Sequence, residues 1–167
     1  MTIYTIGHSN VALARFVDLL RSYAIQVLVD TRSQPYSRYA PQFNRKSLKT
    51  SMEHAGITYI HLGAQLGGRP RGARYYLAKG AMDYTRLAEA PFYREGIERL
   101  KLAAEDRCLA VMCSEADYKD CHRYKLITRS LVKEGIEVHH ILHSGGLDPT
   151  NLNDFRSELH QFVLPLG

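Results

Sequence analysis

Two stretches of the chain, QVLVD (residues 26–30) and CLAVM (residues 108–112), are almost continuously apolar yet only five residues long. A strand with one wet face alternates polar and apolar side chains. A run like these is apolar on both faces and needs a cover on each. Such strands belong to parallel sheets, whose crossover helices supply both covers. That requirement narrows the chain to a layered α/β fold.

The remaining segments supply the parts. Strands are expected at residues 2–6, 58–62 and 137–142, with residues 108–112 central. Leu13, Phe16, Val17 and Leu20 share one face of a helix over residues 11–23, with Asn10 or Ser9 as its cap. A second helix covers residues 46–55 and stops at Gly56. Beyond Pro91, Phe92, Ile97, Leu100 and Ala104 define another helical face. Residues 121–134 read as a helix capped by Asp117 or Asp120 and ended by Gly135, and residues 152–162 as a last short helix. The expectation is a mainly parallel five-stranded sheet with helices on both faces, in a single domain spanning residues 1–167.

Hydrophobic residues make up 45% and charged residues 23%, ordinary for a globular chain. The opening MTIYTIGHSN has neither a basic n-region nor an apolar h-region. No apolar run approaches the roughly 18 residues needed to cross a bilayer. Three cysteines is an odd count, without the spacing of a disulfide framework. Together these features lead to an expectation of a cytoplasmic protein with reduced thiols and no membrane contact. The formal charge of +5 and pI near 9.2 favour anionic partners such as phosphorylated molecules, nucleotides or nucleic acid.

In open parallel sheets, ligands bind beyond the carboxyl ends of the strands. Here every such end carries polar or titratable groups. The first exits into Gly7-His8-Ser9, and the second into Asp30-Thr31-Arg32, followed by Pro35 and Ser37. His61 lies near the end of the third, before Gly67-Gly68-Arg69. The fourth exits into Cys113-Ser114-Glu115, and the fifth into His143-Ser144-Gly145-Gly146. The opposite ends, entered through Met1, Ile25, Ile57, Arg107 and Ile136, are mostly apolar. The polar edge is the candidate crevice.

The densest chemistry lies in CSEADYKDCHR, residues 113–123. A helix starting at Cys121 would present free N–H groups and partial positive charge, which favour a thiolate or a bound phosphate. Cys113 or Cys121 can then be a nucleophile with His122 as base or ion-pair partner, and Cys113, at a strand end, is the better fixed. Alternatively Arg123 and Arg32 hold an anion without covalent chemistry. Cys113, Cys121 and a histidine can also be written as a zinc site, though the short paired-ligand spacing is missing and no cofactor is expected. Finally, both thiols can be small buried hydrophobes, the reading that suits Cys108 inside its strand. Glu115 or His8 is the candidate proton carrier. Of His139 and His140, which face opposite sides of a regular strand, only one can reach a site.

Two loops interleave cations with aromatic rings: RSQPYSRYAPQFNRK (residues 32–46) and LGGRPRGARYYLAKG (residues 66–80). Arg38, Arg69, Arg71 and Arg74 beside Tyr36, Tyr39, Tyr75 and Tyr76 suit a surface that tracks a phosphate backbone and stacks bases. The plainer reading is that these rings pack beneath their own loops.

YTIGHS, LVDTRSQPYSR, APQFNRKSL, YIHLGAQLGG, CSEADYKDCHRYKL and VHHIL together resemble the domain-of-unknown-function family 488, over residues 3–145. The Cys-x7-Cys-His-Arg element is the most specific of these. The resemblance implies a compact single-domain α/β protein of bacterial or archaeal type and brings no established reaction. Its recurrent polar positions fall on Gly7, His8, Ser9, Asp30, Arg32, Pro35, Ser37, Cys113, Glu115, Cys121, His122 and Arg123. Thr31 departs from the pattern, where a small aliphatic residue is usual. Residues and resemblance lead to one expectation: a thiol-dependent hydrolase or transferase acting on a phosphate-bearing substrate. Cys113, Glu115, Cys121, His122 and His8 would do the chemistry, while Ser9, Asp30, Arg32, Ser37, Arg69 and Arg123 hold substrate. The alternatives are a non-catalytic nucleic-acid-binding module and a zinc protein.

Overall fold

The computed structural model describes residues 1–156. Its sheet is built from β1 (Thr2–Gly7), β2 (Val27–Asp30), β3 (Thr58–His61), β4 (Leu109–Cys113), β5 (Glu137–Ile141) and β6 (Leu147–Pro149), in the order β3-β2-β4-β1-β5-β6. The first five pair in parallel; β6 runs antiparallel to β5. The sixth strand corrects the expected count of five. It is three residues long with one apolar side chain, too short for a periodic signal, and it forms because Leu142 N–H bonds Gly146 O across the turn.

β2 and β4 are buried along their whole lengths, as their two-faced apolar character requires. Alternate residues divide between two cores. Leu28, Ala110 and Met112 pack under α1 (Leu13–Ser22) and α2 (Arg45–His54). Val27, Val29, Leu109 and Val111 pack on the other face, under α5 (Pro91–Ala104) and α6 (Arg129–Lys133). Two short helices, α3 (Gly63–Leu66) and α4 (Tyr84–Ala88), complete that second layer. Each Val, Leu or Ile buried this way contributes about 1.5–3 kcal/mol, so the two covers hold the sheet more firmly than its short ladders do.

This connectivity creates the crevice. β1 and β2 leave the sheet toward α1 and α2 on one face, whereas β4, lying between them, leaves toward α6 on the other. The loops after β2 and β4 therefore diverge, opening a cleft at their carboxyl ends.

Three local expectations are corrected. Neither Ser9 nor Asn10 caps α1: Ala12 stands at its N-cap, and Ser9 adopts a left-handed φ of 43°. Residues 121–134 are not one α-helix. A 3₁₀ turn over Tyr118–Asp120, capped by Asp117, leads to Cys121 in extended conformation, then a π-helical segment Arg123–Thr128, then α6. Asp120 is part of that turn and caps nothing, so Cys121 is not a first helical residue. Lastly, Leu152–Phe155 form a 3₁₀ turn, and the rest of the helix expected to residue 162 lies outside the described residues.

Candidate functional site

At the divergence lies a polar cleft of about 490 Å³. The β2 loop brings Arg32, Ser33 and Tyr36, and the β3 loop brings Gly68 and Arg69. The β4 exit contributes Cys113, Ser114 and Glu115, and the following turn contributes Asp120, Cys121 and His122. Seven of the expected site residues thus meet in one place: Arg32, Arg69, Cys113, Glu115, Cys121, His122 and, through its hold on this loop, Arg123.

Backbone bonds place the sulfur. The parallel ladder of β1 and β4 runs on past the strand ends, with His8 N–H on Cys113 O (3.0 Å) and Ser9 N–H on Ser114 O (2.8 Å). Gly7, opposite Cys113, allows the β4 loop to fold back: a Cβ there would stand 1.7 Å from the Glu115 carbonyl oxygen. That same carbonyl accepts a bond from Arg123 Nη2 (3.0 Å). Arg123 is 1% exposed, its Nη1 reaches Thr5 Oγ1, and its buried Nε has no partner among the described residues.

Cys113 and Cys121 line the same wall of the cleft, and their thiols act on each other's ionisation. The Cys121 thiol lowers the Cys113 pKa; the Arg123 charge and the Glu115 backbone lower it further, against the opposing effect of burial. Cys121 is raised, first by the neighbouring Cys113 and then by burial, so it stays a thiol. The pair shares one ionisation, and Cys113 carries it. Cys121 Sγ also accepts Arg123 N–H (3.3 Å) and lies 3.6 Å from His122 Nδ1.

His122 is a weak base. Burial, then the Arg123 charge, lower its pKa to about 4, and its Nε2 faces Thr31 Oγ1 at 3.3 Å. Thr31 Oγ1–H donates to Met112 O (2.9 Å), so Nε2 carries the proton and Nδ1 is the lone pair toward Cys121. Gly68 leaves room for this ring, since a Cβ there would lie 2.9 Å from Nδ1. The turn that delivers Cys121 is pinned by Tyr118, whose ring stacks on His140 at 3.7 Å and whose hydroxyl donates to Asp148.

Other candidates support the site from beneath. Asp30 is fully buried and accepts Arg32 Nε (2.9 Å), Arg32 Nη2 (2.7 Å), the Arg32 backbone N–H and the Tyr59 hydroxyl. Arg32 Nη2 also donates to Phe43 O, and Nη1 donates to His8 Nε2 (3.0 Å). One Nη1 hydrogen of Arg32 is left for a ligand. His8 Nδ1–H donates to Ser9 O, so both its nitrogens are occupied, and burial together with Arg32 lowers its pKa to about 4. His61 Nε2–H donates to Arg32 O.

Ser9 and Ser37 stand apart from the cleft lining; the Ser37 hydroxyl accepts the Tyr39 and Ala40 N–H groups of its own turn. His140 is buried between Thr5 and Thr150, and His139 pairs with Glu137. Cys108 sits at the far end of β4, its thiol raised by burial and bonded to Tyr23 O.

Among the described residues, no three His, Cys, Asp or Glu side chains gather as a metal set. Of the loop aromatics, Tyr75 is buried against Phe92 and Tyr76 bonds Pro70 O, so both pack beneath their loop. Tyr36 and Tyr39 are 75% and 85% exposed. Ser33, which the sequence reading passed over, emerges as a site residue, and Thr31, named there only at a strand exit, supports His122. Ser33 lines the cleft and accepts Arg69 N–H (3.0 Å); its place directly after Arg32 was the available signal.

The fold defines an α/β protein with a doubly covered, mostly parallel sheet and a cleft at its carboxyl edge. The chain belongs to the domain-of-unknown-function family DUF488, which matches residues 12–129. The match holds the β2 loop and the Cys-x7-Cys-His-Arg element, while YTIGHS and VHHIL lie outside it. No curated protein and no solved structure matches the chain. Among the described residues no helix is long and apolar enough to cross a membrane.

Proposed function

We propose that this protein is an enzyme acting on a phosphate-bearing substrate, a nucleotide or nucleic acid, with the Cys113 thiolate as nucleophile. The observation that carries the reading is the Cys113 environment. Its sulfur lies with Cys121 and Glu115 at the wall of an open polar cleft, and the Cys121 thiol and the buried Arg123 guanidinium hold its pKa low. Structural cysteines in apolar surroundings have raised pKa values, whereas reactive ones sit in electropositive pockets.

Arg69 and the Ser33 and Ser114 hydroxyls on the cleft walls are the groups that take the phosphate; the Arg69 guanidinium has no bond to any described residue. Arg32 and Arg123 act by holding the walls. The Cys113 sulfur bonds the electrophilic atom of the substrate, and the leaving group departs with a proton from the Glu115 carboxyl. Water or a second acceptor then displaces the sulfur, returning the proton to Glu115: a hydrolase or a transferase. His8 is set aside as proton carrier, because Arg32 occupies its free nitrogen.

The test is the pH profile of iodoacetamide alkylation, resolved by peptide mass. Cys113 is expected to react with a midpoint below the ~8.5 of free cysteine, and Cys108 above it. A Cys113 profile at or above the free value ends the nucleophile reading. A second reading, a binding module without chemistry, draws on the exposed Tyr36 and Tyr39 beside Arg38. It calls for oligonucleotide affinity that falls steeply with salt and survives Cys113→Ser.

A further inference from the structure

The geometry points to a second chemistry at the same cleft: we propose that Cys113 and Cys121 are an oxidation site, closing reversibly to a disulfide on exposure to a hydroperoxide. The inference deepens the nucleophile reading and rests on it for the consequence, since the oxidised pair has no thiolate to attack substrate. The disulfide itself needs only the pair.

Four features carry it. The two thiols line the same cleft wall and act on each other's ionisation, although they arrive on different elements, one at the end of β4 and one after the 3₁₀ turn. Both line a cleft that a small peroxide can enter. Cys121 has extended backbone dihedrals (φ −116°, ψ 152°) between the 3₁₀ turn and the π-helical segment, so its side chain can approach without unwinding a helical turn. Cys108 stands at the opposite end of β4 and cannot compete.

The step balances with the peroxide as the only oxidant. The Cys113 thiolate attacks the outer peroxide oxygen; an S–O bond forms and the O–O bond breaks. The remaining alkoxide or hydroxide takes up the proton that Cys113 had released, leaving Cys113 as a sulfenic acid. The Cys121 sulfur then attacks Cys113. The S–S bond forms, the S–O bond breaks, and the hydroxyl leaves as water with the Cys121 proton. Two thiols and one hydroperoxide give a disulfide, an alcohol or water, and water. A dithiol reductant reverses the change.

The experiment is hydrogen peroxide titration of the reduced full chain, read by intact mass and by non-reduced peptide mapping. The expected result is a loss of two hydrogens and a Cys113–Cys121 cross-linked peptide. Cys113 alkylation is lost in step and returns with dithiothreitol. Cys121→Ser is expected to stop at the Cys113 sulfenic acid, trapped by dimedone, while Cys108→Ser behaves as the parent chain. Absence of the cross-link, or oxidation of Cys113 to sulfinic acid without one in the parent chain, overturns the inference. A cross-link together with an unshifted alkylation profile would sink the nucleophile reading and leave the oxidation site standing, so the two fail separately.

Discussion

Asp30→Asn tests how the cleft is held open. The Asp30 carboxylate is fully buried, Arg32 is 6% exposed, and between them run three hydrogen bonds, with a fourth from Tyr59. The amide keeps the shape but not the charge. It also turns one acceptor into a donor, which meets Arg32 Nη2–H in place of Oδ2, or the Arg32 backbone N–H and Nε–H in place of Oδ1. Removing one partner of a buried ion pair costs about 3–5 kcal/mol, because the other charge stays buried and uncompensated. Against a total stability of about 5–15 kcal/mol, that is a large fraction. With a urea m-value of about 2 kcal/mol/M, the midpoint should fall by roughly 2 M. Far-UV circular dichroism and tyrosine fluorescence report it, since the chain has 11 tyrosines and no tryptophan. The double variant Asp30→Asn/Arg32→Met should recover part of the loss, having no charge left to strand. A midpoint shift below about 0.5 M, or a double variant no better than Asp30→Asn alone, would refute the argument.

Other perturbations separate support from chemistry. Gly7→Ala forces a Cβ against the Glu115 carbonyl, a backbone atom that cannot rotate away. It should destabilise by about 3 kcal/mol and raise the Cys113 alkylation midpoint; an unchanged profile in a folded variant would show that the Glu115 backbone does not matter. His8, His122 and His140 are held neutral, with pKa values lowered from 6.5 to about 4, 4 and 3, in each case chiefly by burial. The unfolded chain binds protons that the folded one refuses, so their contribution is complete above pH 6.5 and is lost as pH falls toward 4. Urea midpoints across that window should drop, with a shallower slope in His8→Gln, whereas a flat profile would contradict the burial. Tyr75→Ala should cost about 3–5 kcal/mol as a core deletion. Tyr36→Ala, by contrast, should leave stability within about 0.5 kcal/mol while weakening oligonucleotide binding; equal effects on both properties in both variants would mean that neither ring acts as assigned.

What the linear chain determined by itself was the class of fold and the edge that carries the chemistry. QVLVD and CLAVM are apolar on both faces, and a buried parallel sheet is the arrangement that satisfies them. Once strands and helices alternate in this way, polar strand exits gather on one rim as a matter of connectivity, which is why Arg32, Cys113, Glu115 and His122 were legible as neighbours. The tertiary structure alone decided what each group does there. Arg32 is spent on Asp30, His8 and Phe43 O, His8 loses its free nitrogen to that bond, and Tyr75 turns into the core. Cys121 leaves the expected helix and meets Cys113. Periodicity records which side of an element is apolar. It does not record the rotamers, turn geometry and long-range register that choose a side chain's hydrogen-bond partner, and here those partners separate the reactive sulfur from the groups that hold it in place.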